Sequence, residues 1–203
     1  MFLCGAAGTV PQMESVLTHR SSLWVFHAVV ALAAGCLLWA FSVPGISVLL
    51  AAGAVLVLGL ATLLWAAGVQ AFRLRGTRSW WFLVAPAMGV MVVALLYTGL
   101  PLQARWALSR DAFQAVVNNL PEAPVGTEWT RLRVPGKLGA FRITAAYHVP
   151  GGAVFYEANG SLFDDAGFAY LPHGPNPSLA NGSFESPAFK HLGGGWYIWT
   201  ASW

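Results

Sequence analysis

The chain changes texture near its middle. Up to about residue 100 it consists of long uninterrupted apolar runs. Beyond Pro101 apolar and polar residues alternate over short stretches bounded by Gly and Pro. Three apolar runs stand out, at 23–43, 46–72 and 80–100, and none contains Lys, Arg, Asp or Glu. Each reaches the ~20 residues needed to cross a hydrocarbon core about 30 Å thick. A buried soluble helix of such length would carry a polar face, so the pattern predicts three transmembrane helices. The first run exceeds the apolar stretch of a cleaved signal peptide. It leads into the second through Pro44-Gly45, where Pro stops a helix and Gly permits a tight reversal.

The segment 102–120 repeats apolar residues on one helical face: Leu102, Trp106, Phe113, Val117 and Leu120. Arg105, Arg110 and Asp111 point elsewhere on that wheel. The spacing predicts a helix leaving the membrane, broken near Ser109 and ending before Pro121. Its apolar face suits packing on the sheet that follows, or lying flat in the membrane interface. A linker at 121–126 comes next. Strand patterns then occupy 128–134, 140–149, 153–158, 161–172, 188–194 and 195–203, with a hairpin signal at Asn159-Gly160 and a Pro/Gly-rich loop at 173–187. The predicted fold is a membrane α-helical region of three transmembrane helices followed by a small α+β domain with an antiparallel sheet. The predicted organisation is an N-terminal segment 1–22, a membrane region 23–100 and an external domain 101–203. In the last strand, alternation puts Trp196, Ile198, Thr200 and Ser202 on one face and Tyr197, Trp199, Ala201 and Trp203 on the other. The second face is expected to cover the core or the 102–120 helix, entered through a turn at Gly193–Gly195.

Composition strengthens the membrane assignment: 57% of the 203 residues are hydrophobic and 9% charged, against roughly 25% charged in soluble domains. Charge also sets an orientation. Arg20, Arg73, Arg75 and Arg78 flank the spans on one side, and the Pro44-Gly45 hairpin on the other carries none. The positive-inside rule puts the N-terminus and the 73–78 loop in the cytoplasm and residues 101–203 outside. Arg105 and Arg110 count weakly against this. The expected location is the cytoplasmic membrane, multi-pass, with an extracytoplasmic C-terminal domain. The net charge of +3 comes from the first half alone, so it marks membrane-flanking arginines, not a basic stripe for nucleic acid.

Candidate chemistry is sparse. Cys4 and Cys36 are the two cysteines, and the external half has none, which leaves no disulfide framework or Cys-based metal site there. His27 is the one strongly titratable side chain at membrane depth, where an ionisable group is a functional candidate. It lies near the expected cytoplasmic interface, and haem held by two histidines would need a second ligand that no other span supplies. Ala31/Gly35 and Ala85/Gly89 are small-residue pairs suited to close helix approach. The external half carries His148, His173, His191, Glu157, Glu185, Asp164 and Asp165, types able to build an acid–base pair or metal site. They show no ligand spacing, nucleophile elbow or phosphate loop, so no cofactor and no metal is expected. Adjacent Asp164 and Asp165 point to opposite faces of a strand; one suits a cation or a sugar hydroxyl, or both shape a bulge before Gly167. Asn159-Gly-Ser and Asn181-Gly-Ser fit the glycosylation pattern but read first as turns. Aromatic residues crowd the chain from Tyr147 onwards, suited to a core or to a stacking platform. The candidate ligand-binding residues are Asp164, Asp165, His173, Trp196 and Trp199.

Gly167-Phe168-Ala169-Tyr170, Gly194-Gly195-Trp196-Tyr197 and the ending Thr200-Ala201-Ser202-Trp203 together resemble the C-terminal part of small actinobacterial membrane or secreted proteins with no assigned activity. The likeness covers residues 167–203, under a fifth of the chain. It implies a bacterial envelope setting and carries over no catalytic residue. Two functions are expected: a membrane protein presenting a non-catalytic external domain that binds or scaffolds an envelope protein or glycan, or an envelope enzyme or carbohydrate-binding module using Asp164, Asp165 and His173.

Overall fold

The computed structural model describes residues 11–74, 80–120, 129–159, 164–176, 179 and 184–202, with the side chains of 11–22, Glu185 and Ser202 left aside. Cys4, the Arg75–Arg78 part of the basic loop, the 121–126 linker, Asn181 and Trp203 lie outside the described residues.

Three long helices come first: α1 Pro11–Ala40, α2 Val48–Leu74, and α3 Val84–Thr98 led in by a 3₁₀ turn over Trp80–Leu83. All three are long and apolar enough to cross a membrane. Helix α1 is the spine, packing on both α2 and α3 through Ala34, Leu37, Ala54 and Val92. Only 28%, 11% and 6% of positions in the three spans are buried by the chain itself, so lipid must supply the remaining apolar surroundings. The small-residue pairs do not serve the packing between these helices. A Cβ on Gly35 or Gly89 would meet nothing within 4 Å, so open space and not a neighbouring helix lies beside each.

Gly99 ends α3 in the left-handed conformation (φ 66°), its N–H bonding to the Leu96 carbonyl, and the same residue starts α4 Leu100–Ala107 with Pro101 in the first turn. Gly tolerates positive φ and Pro favours a first turn, so the chain bends sharply where it leaves the third span. A break at Leu108–Ser109 then separates α4 from α5 Arg110–Val117, as the spacing of 102–120 predicts.

The sheet follows: β1 Thr130–Arg131, β2 Lys137–Leu138, β3 Phe141–Val149, β4 Gly152–Glu157, β5 Asp164–Tyr170, β6 Glu185–Gly193 and β7 Trp196–Ser202. Strand order is β1-β3-β4-β5-β7-β6, antiparallel throughout, with β2 paired to β3 off the main path. The short strand β2 has no counterpart in the sequence pattern, since two residues give no periodicity. The fold is thus three apolar helices followed by an antiparallel sheet domain.

Both sheet faces are buried. One packs Phe155, Phe168, Trp196 and Ile198 on Trp106, Phe113 and Val117 of α4 and α5. The other packs Val154, Ala169, Trp199 and Ala201 beneath Leu179 and Phe184, with Trp129 at its side. A register shift between Ile143 and Ala145 keeps Phe141, Ile143 and Ala146 together in the helix-side core; uninterrupted alternation would turn Ala146 away. In the closing strand the Tyr197/Trp199 face covers a core, one of its two expected arrangements, while the Trp196/Ile198 face is the one that meets the 102–120 helices. Positive φ at Gly193, Gly194 and Gly195 (107°, 59° and 80°) makes the turn into it.

Candidate functional site

Among the described residues the most connected polar group is Arg105 on α4. Its guanidinium donates from Nη1 to Ser42 Oγ (2.9 Å) and from Nη2 to the Ala140 carbonyl (2.6 Å). It lies 4.6 Å from the ring centroids of both Trp39 and Phe141. Ser42 sits in the α1–α2 hairpin and its hydroxyl donates to the Trp39 carbonyl (2.7 Å). Ser109, at the α4–α5 break, donates to the Arg105 carbonyl (2.8 Å) and accepts from the Ala140 N–H (2.9 Å). A closed network therefore ties the membrane hairpin, the stalk helices and the β2–β3 turn. Burial pulls the Arg105 pKa below its usual range, and the Glu157 carboxylate acts in the opposite direction. Gly139 turns at φ 56° directly against Ser109, where a side chain would overlap the Ser109 backbone and Cβ. Val43, one residue past Ser42, is buried in the helix-side core. The hairpin thus plugs the sheet domain as well as joining two spans.

The sequence places Arg105 on the outward side of its helix. The structure turns it inward, because two aromatic rings and two fixed oxygens replace water. Ser42 and Ala140 carry no distinguishing pattern. The readable signal is narrower: a hydroxyl closing an apolar run one residue before Val43-Pro44-Gly45, and an arginine beside Trp106.

Next to this joint lies a cleft of about 360 Å³. Its lower wall is the hairpin (Phe41, Val43, Pro44, Ile46) and the α3–α4 bend (Leu96, Gly99, Leu102). Its upper wall is the β6–β7 edge (Ala188, Lys190, Ile198, Thr200). Inside the membrane region a second crevice of about 290 Å³ opens between α2 and α3, with α1 as its floor. A third space of about 220 Å³ is lined by Leu23, Trp24, His27 and Trp81. There His27 Nδ1 bonds to the Leu23 carbonyl (2.7 Å), while Nε2 is buried without a partner among the described residues.

The sequence-predicted site residues do not converge. Asp164 and Asp165 open β5, opposite Ser202 and Ala201, with Asp165 exposed. His173 is exposed in the turn beyond the other end of that strand. From Asp165 to Tyr170 alone is roughly 17 Å at the usual strand rise. His148 and His191 lie toward the His173 end, paired with Ala153 and Tyr197. Glu157 is buried and accepts from the Asn159 N–H (2.7 Å) and Nδ2 (2.9 Å), holding the turn after β4. Among the described residues no three His, Cys, Asp or Glu side chains are placed to hold a metal ion.

Trp196 and Trp199 are both 0% exposed and lie on opposite faces of β7. Trp196 Nε1 donates to Gln114 Oε1 and Trp199 Nε1 to the Phe168 carbonyl, each at 3.1 Å. Their polar edges are satisfied inside two cores, so neither ring offers a stacking face. Around Trp199 the rings of Tyr156 and Phe184 each lie 4.6 Å away. Burial first, then the nearby Asp165 carboxylate and Tyr147, push the Tyr156 phenol up to about 12. Burial lowers the pKa of His148.

These features define a class: a three-span, multi-pass membrane protein carrying an antiparallel sheet domain on a short helical stalk. No family model, curated protein or solved structure matches the chain.

Proposed function

We propose that this is a protein of a bacterial cytoplasmic membrane that presents a small non-catalytic binding or scaffolding domain on the outer surface. The observation that carries the reading is the Arg105 network, which fixes the sheet to the hairpin and stalk instead of leaving it on a loose tether. A fixed orientation suits a domain that offers one face to a partner. The arginines at 20, 73, 75 and 78 support the outward placement, and the likeness of residues 167–203 to actinobacterial proteins supports the envelope setting. The separation of Asp164 and Asp165 from His173 favours binding over catalysis at those residues. The expected partner is an envelope protein or glycan.

Topology is the first test. In a variant lacking both native cysteines, His173→Cys on the exposed turn should react with a membrane-impermeant maleimide in intact spheroplasts. Reaction only after lysis would place the domain in the cytoplasm and overturn the reading.

A further inference from the structure

The interfacial cleft and the intramembrane crevice share one residue, Leu96. The crevice follows α3 from Leu96 down to Ala85, roughly 17 Å at 1.5 Å per residue. That depth is about one leaflet of a ~30 Å hydrocarbon core. Its walls ask for nothing polar: the Thr62 hydroxyl is spent on the Leu58 carbonyl (2.8 Å) and Trp65 Nε1 on the Phe82 carbonyl (2.8 Å). At this depth a hydrocarbon chain is the matching occupant.

The cleft above differs in character. It lies level with the span ends, between residues 41–46 and the α3–α4 bend, at the membrane surface. Among the described residues Lys190 is its one charged lining residue, and no carboxylate lines it. Lys190 is exposed and pairs across the strands with Ile198, on the sheet face turned toward the helices. An ammonium at the surface above an apolar slot one leaflet deep matches an amphiphile with an anionic head.

We propose that cleft and crevice together hold one anionic membrane phospholipid, its phosphate at Lys190 and one acyl chain between α2 and α3. This goes beyond the function proposed above and stands whichever side of the membrane carries the sheet domain. It also accounts for Gly89, whose empty surroundings in the crevice wall leave room for a chain.

The test uses the full chain in phosphatidylcholine vesicles with trace chain-spin-labelled phosphatidylglycerol or phosphatidylcholine, reading the motionally restricted fraction by electron paramagnetic resonance. Phosphatidylglycerol should be preferred about fivefold, the usual worth of one lysine near an anionic surface. Lys190→Gln should bring the preference to parity, and Lys137→Gln, on β2 away from the cleft, should leave it intact. Gly89→Leu fills the crevice without backbone conflict and favours the helix; it should cut the restricted fraction of both lipids at unchanged helical content. Equal restriction of both lipids in the native chain would overturn the proposal. So would equal losses in the two lysine variants, or an undiminished restricted fraction in Gly89→Leu. A dimer cross-linked through cysteines placed in the crevice, with no restricted lipid, would assign that face to a second copy instead.

Discussion

A guanidinium presents five N–H donors in one plane, and Arg105 uses that plane to reach the membrane hairpin and the sheet at once. Lysine cannot copy it, because an ammonium is a point charge on a flexible stem. Arg105→Ala removes two charge-assisted hydrogen bonds, each worth about 1.5–3 kcal/mol. Thermal unfolding of the full chain in detergent should show a loss of about 3 kcal/mol or more, with Arg105→Lys recovering only part. Tyr156 makes a different residue-scale test. Its phenol titrates at about 12 in the folded chain against about 10 when unfolded. A folded pKa above the unfolded one contributes stability that is present below pH 10 and lost as pH rises toward 12. Tyrosinate absorbance should therefore show one late-titrating tyrosine that disappears in Tyr156→Phe. Neither residue was legible as special in the sequence. The environment of Arg105 comes from residues 63 and 35 positions away, and that of Tyr156 from two other strands. Local pattern cannot encode such contacts.

At the scale of elements, periodicity was informative wherever an element is long and one-sided. The three spans, the break at Ser109 and the main strands are each a few residues from where alternation or apolar run length puts them. Trp196 and Trp199 show where it stops. Alternation assigns them to opposite faces, but it cannot say that both faces are covered, since the cover on one comes from Leu179 and Phe184 in the long loop. Helix α5 depends on Phe113, which is fully buried with its ring among those of Trp106, Phe141, Phe155, Phe168 and Trp196 at 5.1–6.1 Å. Phe113→Ala should cost about 3–5 kcal/mol, read as an earlier loss of near-ultraviolet tryptophan signal. Strand β3 carries one group whose burial makes stability depend on pH. His148 is buried and its folded pKa is depressed, so the unfolded chain takes up the proton first. Its contribution is intact above the unfolded value of about 6.5 and falls as pH drops below it. Between pH 7.5 and 5.5 the melting temperature should decline, and the decline should flatten in His148→Gln.

The whole molecule joins a lipid-solvated bundle to a water-solvated sheet, and the seam is a shared core. Val43 belongs to the membrane hairpin by sequence and to the sheet domain by packing, 5% exposed in the cluster that holds Phe141 and Trp196. A boundary at residue 101, natural from composition, therefore cuts through a packed interface. Excising 101–203 removes Val43, Trp39 and Ser42 together. It leaves Arg105 with one of its two hydrogen-bond acceptors and opens a hole in the helix-side core. Such a fragment should unfold at lower denaturant than the same domain within the full chain. Within the full chain, Val43→Ala should destabilise the sheet by about 1–2 kcal/mol, the scale of a lost buried valine side chain, while helical content stays unchanged. Hydrogen exchange resolves the two halves: amides of β3, β5 and β7 should exchange faster in the fragment and in Val43→Ala, with protection across α1 and α2 unaltered in the latter. Equal strand protection in fragment and full chain would mean that the sheet folds without the hairpin, and the Arg105 network would then orient the domain without stabilising it.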